Sequence, residues 1–293
     1  MDETTTREAA PFIEGLFFGE GPRWHDGRLW YSDFYDAAVF SVDPAGERRR
    51  ELDVPSRPSG LGWLPDGRLL VVSMTDRTVL RREPDGRLVL HGSLSPWATF
   101  HANDMVVDPA GRAYVGNFGF DLDAAMAGGP DGPRPINTSL VRIDPDGSSH
   151  EAASDLAFPN GTVLFPDGRT MVVAESMGTR LSAFDVDEAG NLSGRRLWAS
   201  LEQIAPDGIC LDAEGCIWVA NALGPECVRV AEGGQVLERI GTGQPCFACM
   251  LGGEDRRTLY MLTATSSLAV EAQAARSGRI VRAVVDVPGT GLP

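Results

Sequence analysis

Lysine is absent from this chain of 293 residues, so every basic side chain is arginine or histidine. Enzymes that form a Schiff base through lysine and nucleotide-binding proteins with a P-loop lysine are therefore excluded. Basic residues are also outnumbered, since 26 arginines face 41 acidic residues and the formal net charge is −15. This charge argues against nucleic acid or an anionic membrane surface as a partner and favours a cation or a neutral small molecule.

Long apolar runs are lacking as well, and we expect no secretion signal. No stretch of about 18 apolar residues occurs, and residues 1–10 are polar and acidic. We therefore expect a soluble, cytoplasmic protein. Five cysteines are an odd number, which argues against a disulfide framework. The C-x-x-C pair at Cys246 and Cys249 has no second pair beside it, so buried thiols on a strand are the preferred interpretation.

Six copies of one pattern make up the chain. The pattern is clearest in residues 158–175, where two short apolar runs flank a turn sequence P-D-G-R, as in a tight hairpin. Four short strands per copy, repeated every 40 to 50 residues or so, predict an all-β, six-bladed propeller. We expect one domain over residues 12–293, after a mobile segment at residues 1–11. A strand near residues 12–18 would pair with the last blade and close the ring.

Carboxylate and amide side chains recur at one position of this pattern. The copies begin near Glu20, Ser59, Asn103, Asn160, Asp207 and Phe247, which are 39, 44, 57, 47 and 40 residues apart. Pseudo-sixfold symmetry would bring these positions together around the central channel. Two carboxylates and two amides there would form the oxygen-rich site that Ca²⁺, Mg²⁺ or Mn²⁺ prefers.

A second interpretation of these residues is purely structural. Asn and Asp before Gly are common in turns, so Asn160-Gly161 and Asp207-Gly208 could shape the backbone without binding a ligand. Glu20 is not a turn residue, yet it falls at the same position of the repeat. Taken together, the six positions favour a metal site.

At these residues the chain resembles the family of senescence marker protein (regucalcin), gluconolactonase and luciferin-regenerating enzyme. The resemblance extends over nearly the whole chain. It rests on four short sequences in a specific order: E-G-P-R-W from Glu20, N-D from Asn103 with D-P-A-G-R from Asp108, P-N-G from Pro159, and P-D-G from Pro206.

The resemblance implies one divalent metal in the channel, bound by Glu20, Asn160 and Asp207, and lactone hydrolysis as the commonest activity. Asn103 would contact substrate or metal-bound water. Ca²⁺ is the preferred ion for oxygen ligands, with Zn²⁺, Mn²⁺ and Mg²⁺ as alternatives. The chain departs from the family at His101, where sugar-lactone hydrolases carry an arginine that contacts substrate hydroxyls. The family's acidic substrate contact in the third blade is not evident either.

Candidate roles for two residues and two competing functions follow. Asp207 is the candidate base and His101 a candidate acid or base near neutral pH, although a structural histidine is an equal alternative. The competing functions are a metal-free propeller lyase or synthase resembling strictosidine synthase and a non-catalytic calcium-binding propeller. No G-x-S-x-G motif occurs, which disfavours serine hydrolase chemistry.

An insertion in the third repeat, between residues 117 and 139, is predicted to cover the channel mouth on the metal side. Its Phe118 and Phe120 would offer apolar surface to a substrate, with Met126 on the same loop and Trp97 and Phe100 on the preceding connection. Because polyols need paired polar contacts, we expect a substrate less hydroxylated than gluconolactone.

Overall fold

Short antiparallel strands form nearly all of this protein, whose computed structural model describes residues 6–291. The strands make six sheets, five of them with four strands and one with a fifth strand added. The innermost strands of successive sheets pack against each other, and the sixth packs against the first. This closed ring confirms the predicted six-bladed propeller.

Two strands, β1 (Thr6–Glu8) and β2 (Ala10–Leu16), precede the first complete blade. In each of the first three blades, the four strands follow one another from the channel outwards. Blade 1 contains β3 (Gly19–His25), β4 (Arg28–Asp33), β5 (Ala38–Val42) and β6 (Arg48–Asp53). Blade 2 contains β7 (Pro58–Trp63), β8 (Leu69–Ser73), β9 (Thr78–Arg82) and β10 (Leu88–Ser93). Blade 3 contains β11 (Ala102–Val107), β12 (Ala113–Asn117), β13 (Thr138–Ile143) and β14 (Ser149–Leu156).

The remaining blades repeat this order. Blade 4 contains β15 (Pro159–Leu164), β16 (Thr170–Glu175), β17 (Arg180–Val186) and β18 (Leu192–Ser200). Blade 5 contains β19 (Pro206–Leu211), β20 (Ile217–Asn221), β21 (Glu226–Val230) and β22 (Val236–Gly241). Blade 6 contains β23 (Cys246–Gly252), β24 (Thr258–Thr263) and β25 (Gly278–Val284).

Both strands before blade 1 pair with strands of the last two blades. Strand β2 pairs antiparallel with β25 and is the outermost strand of blade 6, which confirms the predicted closure of the ring. Strand β1 pairs in parallel with β22 and adds a fifth strand to blade 5. Residues 6–11, expected in a mobile segment, thus lie largely in strands, because the outer edges of the last two blades offer free backbone groups for pairing. Residues 1–5 lie outside the described residues.

Two seven-residue helices interrupt the strand pattern: α1 (Leu122–Gly128) between β12 and β13, and α2 (Ala269–Ala275) between β24 and β25. Single 3₁₀ turns lie at Gly129–Asp131, directly after α1, and at Ser176–Gly178, directly after β16. No helix within residues 6–291 is long and apolar enough to cross a membrane. The five cysteines are buried and free, with Cys246 and Cys249 on β23, as predicted for that pair.

A buried polar residue ends the second strand of every blade. In blade 4 it is Glu175, whose carboxylate accepts hydrogen bonds from Arg180 (2.7 Å), Arg195 (2.9 Å), the backbone N–H of Ala157 (2.8 Å) and the hydroxyl of Ser182. Burial opposes ionisation, but these partners outweigh it and lower the pKa of Glu175 to about 2. The carboxylate thus ties three strands to the connection from the previous blade. The six equivalent residues are Asp33, Ser73, Asn117, Glu175, Asn221 and Thr263.

Glu175→Gln is expected to lower the free energy of unfolding at pH 7 by about 3 kcal/mol, because two arginines lose their ionic partner. The folded-state pKa lies below the ordinary value of 4.5, so the carboxylate stabilises the fold above about pH 4.5 and loses this effect as the pH falls towards 2. Urea unfolding between pH 7 and pH 3 measures both effects. Glu47→Gln, at a side chain 63% exposed, is the control. Equal urea midpoints for Glu175→Gln and the parent protein at pH 7 would contradict this role.

Candidate metal centre and substrate cavity

The six aligned positions of the repeat lie at equivalent places around the channel. Each is the second residue of an innermost strand, and the pairing of that strand with its neighbour shifts register next to it. Such irregularities re-aim a side chain, here on the channel side of the sheet. We call these residues the first ring: Glu20, Ser59, Asn103, Asn160, Asp207 and Phe247.

Five members of the first ring line one cavity with a volume of about 930 Å³. They include the four predicted oxygen-bearing residues, Glu20, Asn103, Asn160 and Asp207, and each of these four is buried. Ser59 is not part of the cavity wall. Its hydroxyl instead donates a long hydrogen bond of 3.4 Å to the Asn103 amide oxygen. The structure therefore brings the predicted metal ligands to one space.

Neither the Asn160-Gly161 pair nor the Asp207-Gly208 pair forms the turn that the structural interpretation assumed. Both lie inside innermost strands, β15 and β19. The glycines are required by close approach of neighbouring blades: a Cβ on Gly161 would lie 2.6 Å from the Asp207 carbonyl oxygen. A Cβ on Gly208 would lie 2.7 Å from the Cα of Ala248. The asparagine and aspartate at these positions thus remain available for a ligand.

Two buried oxygens of the first ring have no hydrogen-bond partner among the described residues. They are Oδ1 of Asn160 and Oδ1 of Asp207. The amide of Asn160 is oriented from its other end, since Nδ2 donates to the Ser176 hydroxyl at 3.1 Å, which in turn donates to the Pro206 carbonyl at 2.7 Å. A buried oxygen without a partner is costly, so both atoms call for a ligand that accepts their lone pairs.

Electrostatics in the cavity also favour a cation. Burial raises the pKa of Glu20 well above its ordinary value, and the nearby carboxylate of Asp207 raises it further. Burial likewise raises the pKa of Asp207, with Asp104 as the second cause and the Asn160 amide opposing both. Two buried carboxylates near each other resist simultaneous ionisation unless a positive charge compensates them.

A divalent cation fits this donor set. Within residues 6–291 no group of three or more His, Cys, Asp and Glu side chains could hold a metal ion, so a site here needs the amide of Asn160 beside the two carboxylates. Carboxylate and amide oxygens are the ligands that Ca²⁺ and other hard cations select. The unpartnered oxygens, the buried carboxylates and the all-oxygen chemistry agree with one another.

A second ring of side chains surrounds the cavity above the first. Its members precede the first-ring residues by two positions, and all six line the cavity. In every blade their carbonyl accepts a hydrogen bond from the backbone N–H of the residue that follows the second strand, at 2.9 to 3.2 Å. The fold thus fixes this ring as firmly as the first. The second ring consists of Phe18, Arg57, His101, Phe158, Ala205 and Pro245.

His101 lies in this second ring, on the cavity wall as predicted. Its ring stacks on Phe100 with centroids 4.0 Å apart and meets Phe118 edge-on at 6.0 Å. Burial, and then the positive charge of Arg57, lower the pKa of His101 below its ordinary value. The imidazole is therefore neutral at pH 7 and can offer the cavity one donor and one acceptor.

The insertion at residues 117–139 contributes to the cavity wall. It contains α1, whose N-terminus is capped by Asp121 through a hydrogen bond from the Ala124 N–H at 2.9 Å. Phe118 and Met126 line the cavity, but Phe120 does not. Phe120 packs behind the wall instead, with its ring 6.1 Å from that of Phe158. Of the aromatics predicted on the preceding connection, Phe100 lines the cavity and Trp97 does not.

Blade 6 supplies a second insertion that the sequence analysis missed. Residues 264–277 connect β24 to β25 and contain α2. Ser266, Leu268 and Glu271 of this segment line the cavity, and the Tyr35 hydroxyl donates to the Ser267 carbonyl at 2.7 Å. The long gap between the two apolar runs of the sixth copy was the available signal. Arg57 was missed as well, although the alignment that identified His101 also aligns Arg57 with it.

Comparison with known proteins identifies the family of this chain. A family model described as the SMP-30/gluconolactonase/LRE-like region matches residues 18–265. The chain is 27% identical over 286 residues to a 6-deoxy-6-sulfogluconolactonase of Pseudomonas putida, covering 94% of each protein. It is 28% identical over 290 residues to a pentonolactonase of Haloferax volcanii, covering 94% of this chain and 92% of that protein.

Solved structures share the fold over nearly the full length. A calcium-binding regucalcin of Agrobacterium tumefaciens superposes with a TM-score of 0.81 at 22% identity, covering 99% of this chain and 98% of that one. A gluconolactonase of Xanthomonas campestris superposes with a TM-score of 0.75 at 25% identity, covering 95% and 89%. Because the family model spans most of the chain, this protein belongs to the SMP-30/gluconolactonase/LRE-like family.

Proposed function

We propose that this protein is a divalent-metal-dependent hydrolase that opens a lactone or a related cyclic ester. The observation that carries the proposal is the pair of buried, unpartnered oxygens on Asn160 and Asp207 beside the carboxylate of Glu20. A cavity of about 930 Å³ above them is large enough for a small-molecule substrate. The names of two relatives over nearly the whole chain, both lactonases, support the reaction class.

Glu20, Asn160 and Asp207 would hold the metal. Their oxygen-only chemistry favours Ca²⁺, with Zn²⁺, Mn²⁺ and Mg²⁺ as alternatives, and a solved relative is described as a calcium-binding regucalcin. When bound, the cation supplies a Lewis acid for the ester carbonyl and lowers the pKa of a nearby water. Asn103, the first-ring residue of blade 3, would offer its amide N–H₂ to the substrate.

Hydrolysis also needs a proton acceptor and a donor. The water oxygen bonds to the carbonyl carbon, the ring C–O bond breaks, and the leaving oxygen takes up a proton, which yields a hydroxy acid. Asp207 is our candidate for the base because its carboxylate is buried and faces the cavity. His101 is placed to exchange a hydrogen bond or a proton with the substrate, since its imidazole is neutral at pH 7 and lines the same cavity.

The apolar part of the wall favours a substrate with fewer hydroxyls than a sugar lactone. Phe18, Phe34, Phe118, Phe158 and Phe247 all line the cavity. These rings belong to one cluster of buried side chains over the first ring. Because aromatic faces cannot pair with hydroxyl groups, an alkyl- or aryl-substituted lactone would lose less hydration than a polyol on entering.

Removal of a metal ligand is expected to abolish both metal content and activity. In Asp207→Asn the metal content falls below a tenth of an ion per chain, and kcat/KM for a lactone falls by about 10²- to 10⁴-fold. Glu20→Gln and Asn160→Ala lose the metal as well. Ser59→Ala is the matched control, because Ser59 occupies the same ring position outside the cavity wall and should keep the metal. Elemental analysis that finds unchanged metal in all three ligand variants would contradict the assignment.

Chelation is expected to remove the activity reversibly. The test uses a panel of γ- and δ-lactones and aryl esters, assayed before and after dialysis against EDTA and again after addition of Ca²⁺, Mn²⁺, Zn²⁺ or Mg²⁺. Activity should disappear with the metal and return with at least one of the four ions. Full activity in metal-free protein would instead favour a metal-free lyase or synthase, and metal binding without any turnover would favour a calcium-binding propeller.

Truncation of the aromatic wall is expected to weaken apolar substrates selectively. Phe118→Ala should raise the activation free energy for an alkyl-substituted lactone by about 1 to 3 kcal/mol, since the side chain would no longer cover the alkyl group. Phe120→Ala is the matched comparison, because the same change on the same loop removes a ring that packs behind the cavity wall and does not line it. The readout is kcat/KM for gluconolactone and for a series of alkyl lactones. A preference of the parent enzyme for gluconolactone would overturn the predicted substrate polarity.

A further inference from the structure

Arg57 is the cation of the second ring, and it lines the cavity one blade before His101. We propose that Arg57 is a specificity-determining residue that binds an anionic substituent of the substrate, a carboxylate or sulfonate carried by the lactone away from its reacting carbonyl. The proposal rests on the proposed lactone hydrolysis and specifies its substrate class.

The backbone holds Arg57 in an uncommon conformation. Its φ is +64°, in the left-handed region that side chains other than glycine rarely adopt. The following Pro58 disfavours the right-handed helical alternative. Two hydrogen bonds fix the residue: its N–H donates to the Val54 carbonyl at 3.1 Å, and its carbonyl accepts from the Met74 N–H at 2.9 Å. Strain of this kind is concentrated at functional positions, where it aims a side chain.

The guanidinium of Arg57 has no ionic partner in the described part of the chain. No carboxylate among residues 6–291 lies within 4.0 Å of it, and it makes no hydrogen bond there. Its one aromatic neighbour is Tyr35, whose ring centroid lies 5.1 Å from the guanidinium carbon. The side chain is half-buried, so part of its hydration is already removed. A half-buried arginine with free donors is suited to an anion that accepts two parallel hydrogen bonds.

The other charged residues of the cavity determine where an anion can go. Asp121 and Asp123 line it from α1, and Glu271 lines it from α2. These carboxylates repel a negative group where the two helical insertions line the cavity, whereas Arg57 attracts it beside blade 2. A bound substrate would therefore turn its anionic group towards Arg57. The net charge of −15 disfavours anions at the surface as a whole, and Arg57 is a local exception inside the cavity.

Arg57 also lies in a different ring from the proposed metal ligands. It precedes Ser59 by two residues, and Ser59 is a first-ring position outside the cavity wall. Of the proposed ligands, Asn160 and Asp207 belong to blades 4 and 5, and Glu20 belongs to blade 1 beside blade 2. The anionic group and the ester carbonyl would thus be recognised at different parts of the cavity, which is the arrangement required for selection among lactones.

The experiment compares pairs of γ-lactones that differ only in charge. Each carries a carboxylate on the ring, directly or through one or two methylene groups, and is paired with its uncharged carboxamide. The measured quantity is the ratio of kcat/KM for the carboxylate to kcat/KM for the carboxamide. For the best-accommodated pair we expect the parent enzyme to favour the carboxylate, and Arg57→Met to lower the ratio by about 10- to 100-fold.

Two further variants separate charge from geometry. Arg57→Lys should give an intermediate ratio, since it keeps the charge but not the planar pair of donors. Arg87→Met removes one exposed arginine, 74% accessible, from a hairpin turn outside the cavity and should leave the ratio unchanged. A ratio that differs less than twofold between Arg57→Met and the parent enzyme would overturn the proposal, as would a parent enzyme that favours the carboxamide in every pair.

Direct measurement of lactone binding distinguishes a failure of the proposed hydrolysis from a failure of the proposed role of Arg57. If the parent protein opens none of these lactones, calorimetric titration with the same compounds in the presence of Ca²⁺ measures recognition alone. Binding of the carboxylate at least tenfold weaker in Arg57→Met than in the parent protein supports the role of Arg57. Equal affinities in the two proteins, or no binding to either, overturn it.

Discussion

Burial of two carboxylates and an amide at the axis of the propeller is the constraint on which the cavity depends. The carboxyl groups of Glu20 and Asp207 lie in an environment that raises the pKa of both, and the oxygens of Asn160 and Asp207 lack partners among the described residues. Such an arrangement weakens the fold unless a ligand compensates it. The presence of these buried polar groups in a closed ring of well-paired strands indicates that this part of the molecule is shaped for binding rather than for stability.

Because the pattern repeats in every blade, the residues around the cavity form two layers, the first ring and the second ring. A register shift beside each first-ring residue re-aims that residue, and a backbone hydrogen bond that recurs in all six blades fixes the second ring beside it. The two layers then have separate tasks. The first ring concentrates oxygen ligands, whereas the second ring and the two helical insertions present aromatic, acidic and basic groups to whatever enters. Substitutions in the second ring can therefore change the substrate without changing the proposed metal ligands.

Much of this arrangement is predictable because it repeats. The hairpin glycines align four of the six copies, and the first copy fits with a turn one residue shorter. This alignment places Glu20, Asn160 and Asp207 together despite their separation in sequence. Nothing local identifies the direction of a loop side chain, which depends on packing between blades. For that reason Phe120 was expected on the cavity wall, and it packs behind it. The position of the connection that contains α2 depends in the same way on a tertiary contact, the hydrogen bond from Tyr35 of blade 1 to the Ser267 carbonyl.

Anomalous diffraction tests the central claim most directly. Crystals of the protein grown with Mn²⁺, measured near the manganese absorption edge, locate the ion without reference to activity. We expect one strong peak per chain within about 2.0 to 2.6 Å of carboxylate oxygens of Glu20 and Asp207 and of the amide oxygen of Asn160. A peak at another place, or none at the propeller axis under saturating Mn²⁺, would contradict the assignment of these three residues as the metal centre.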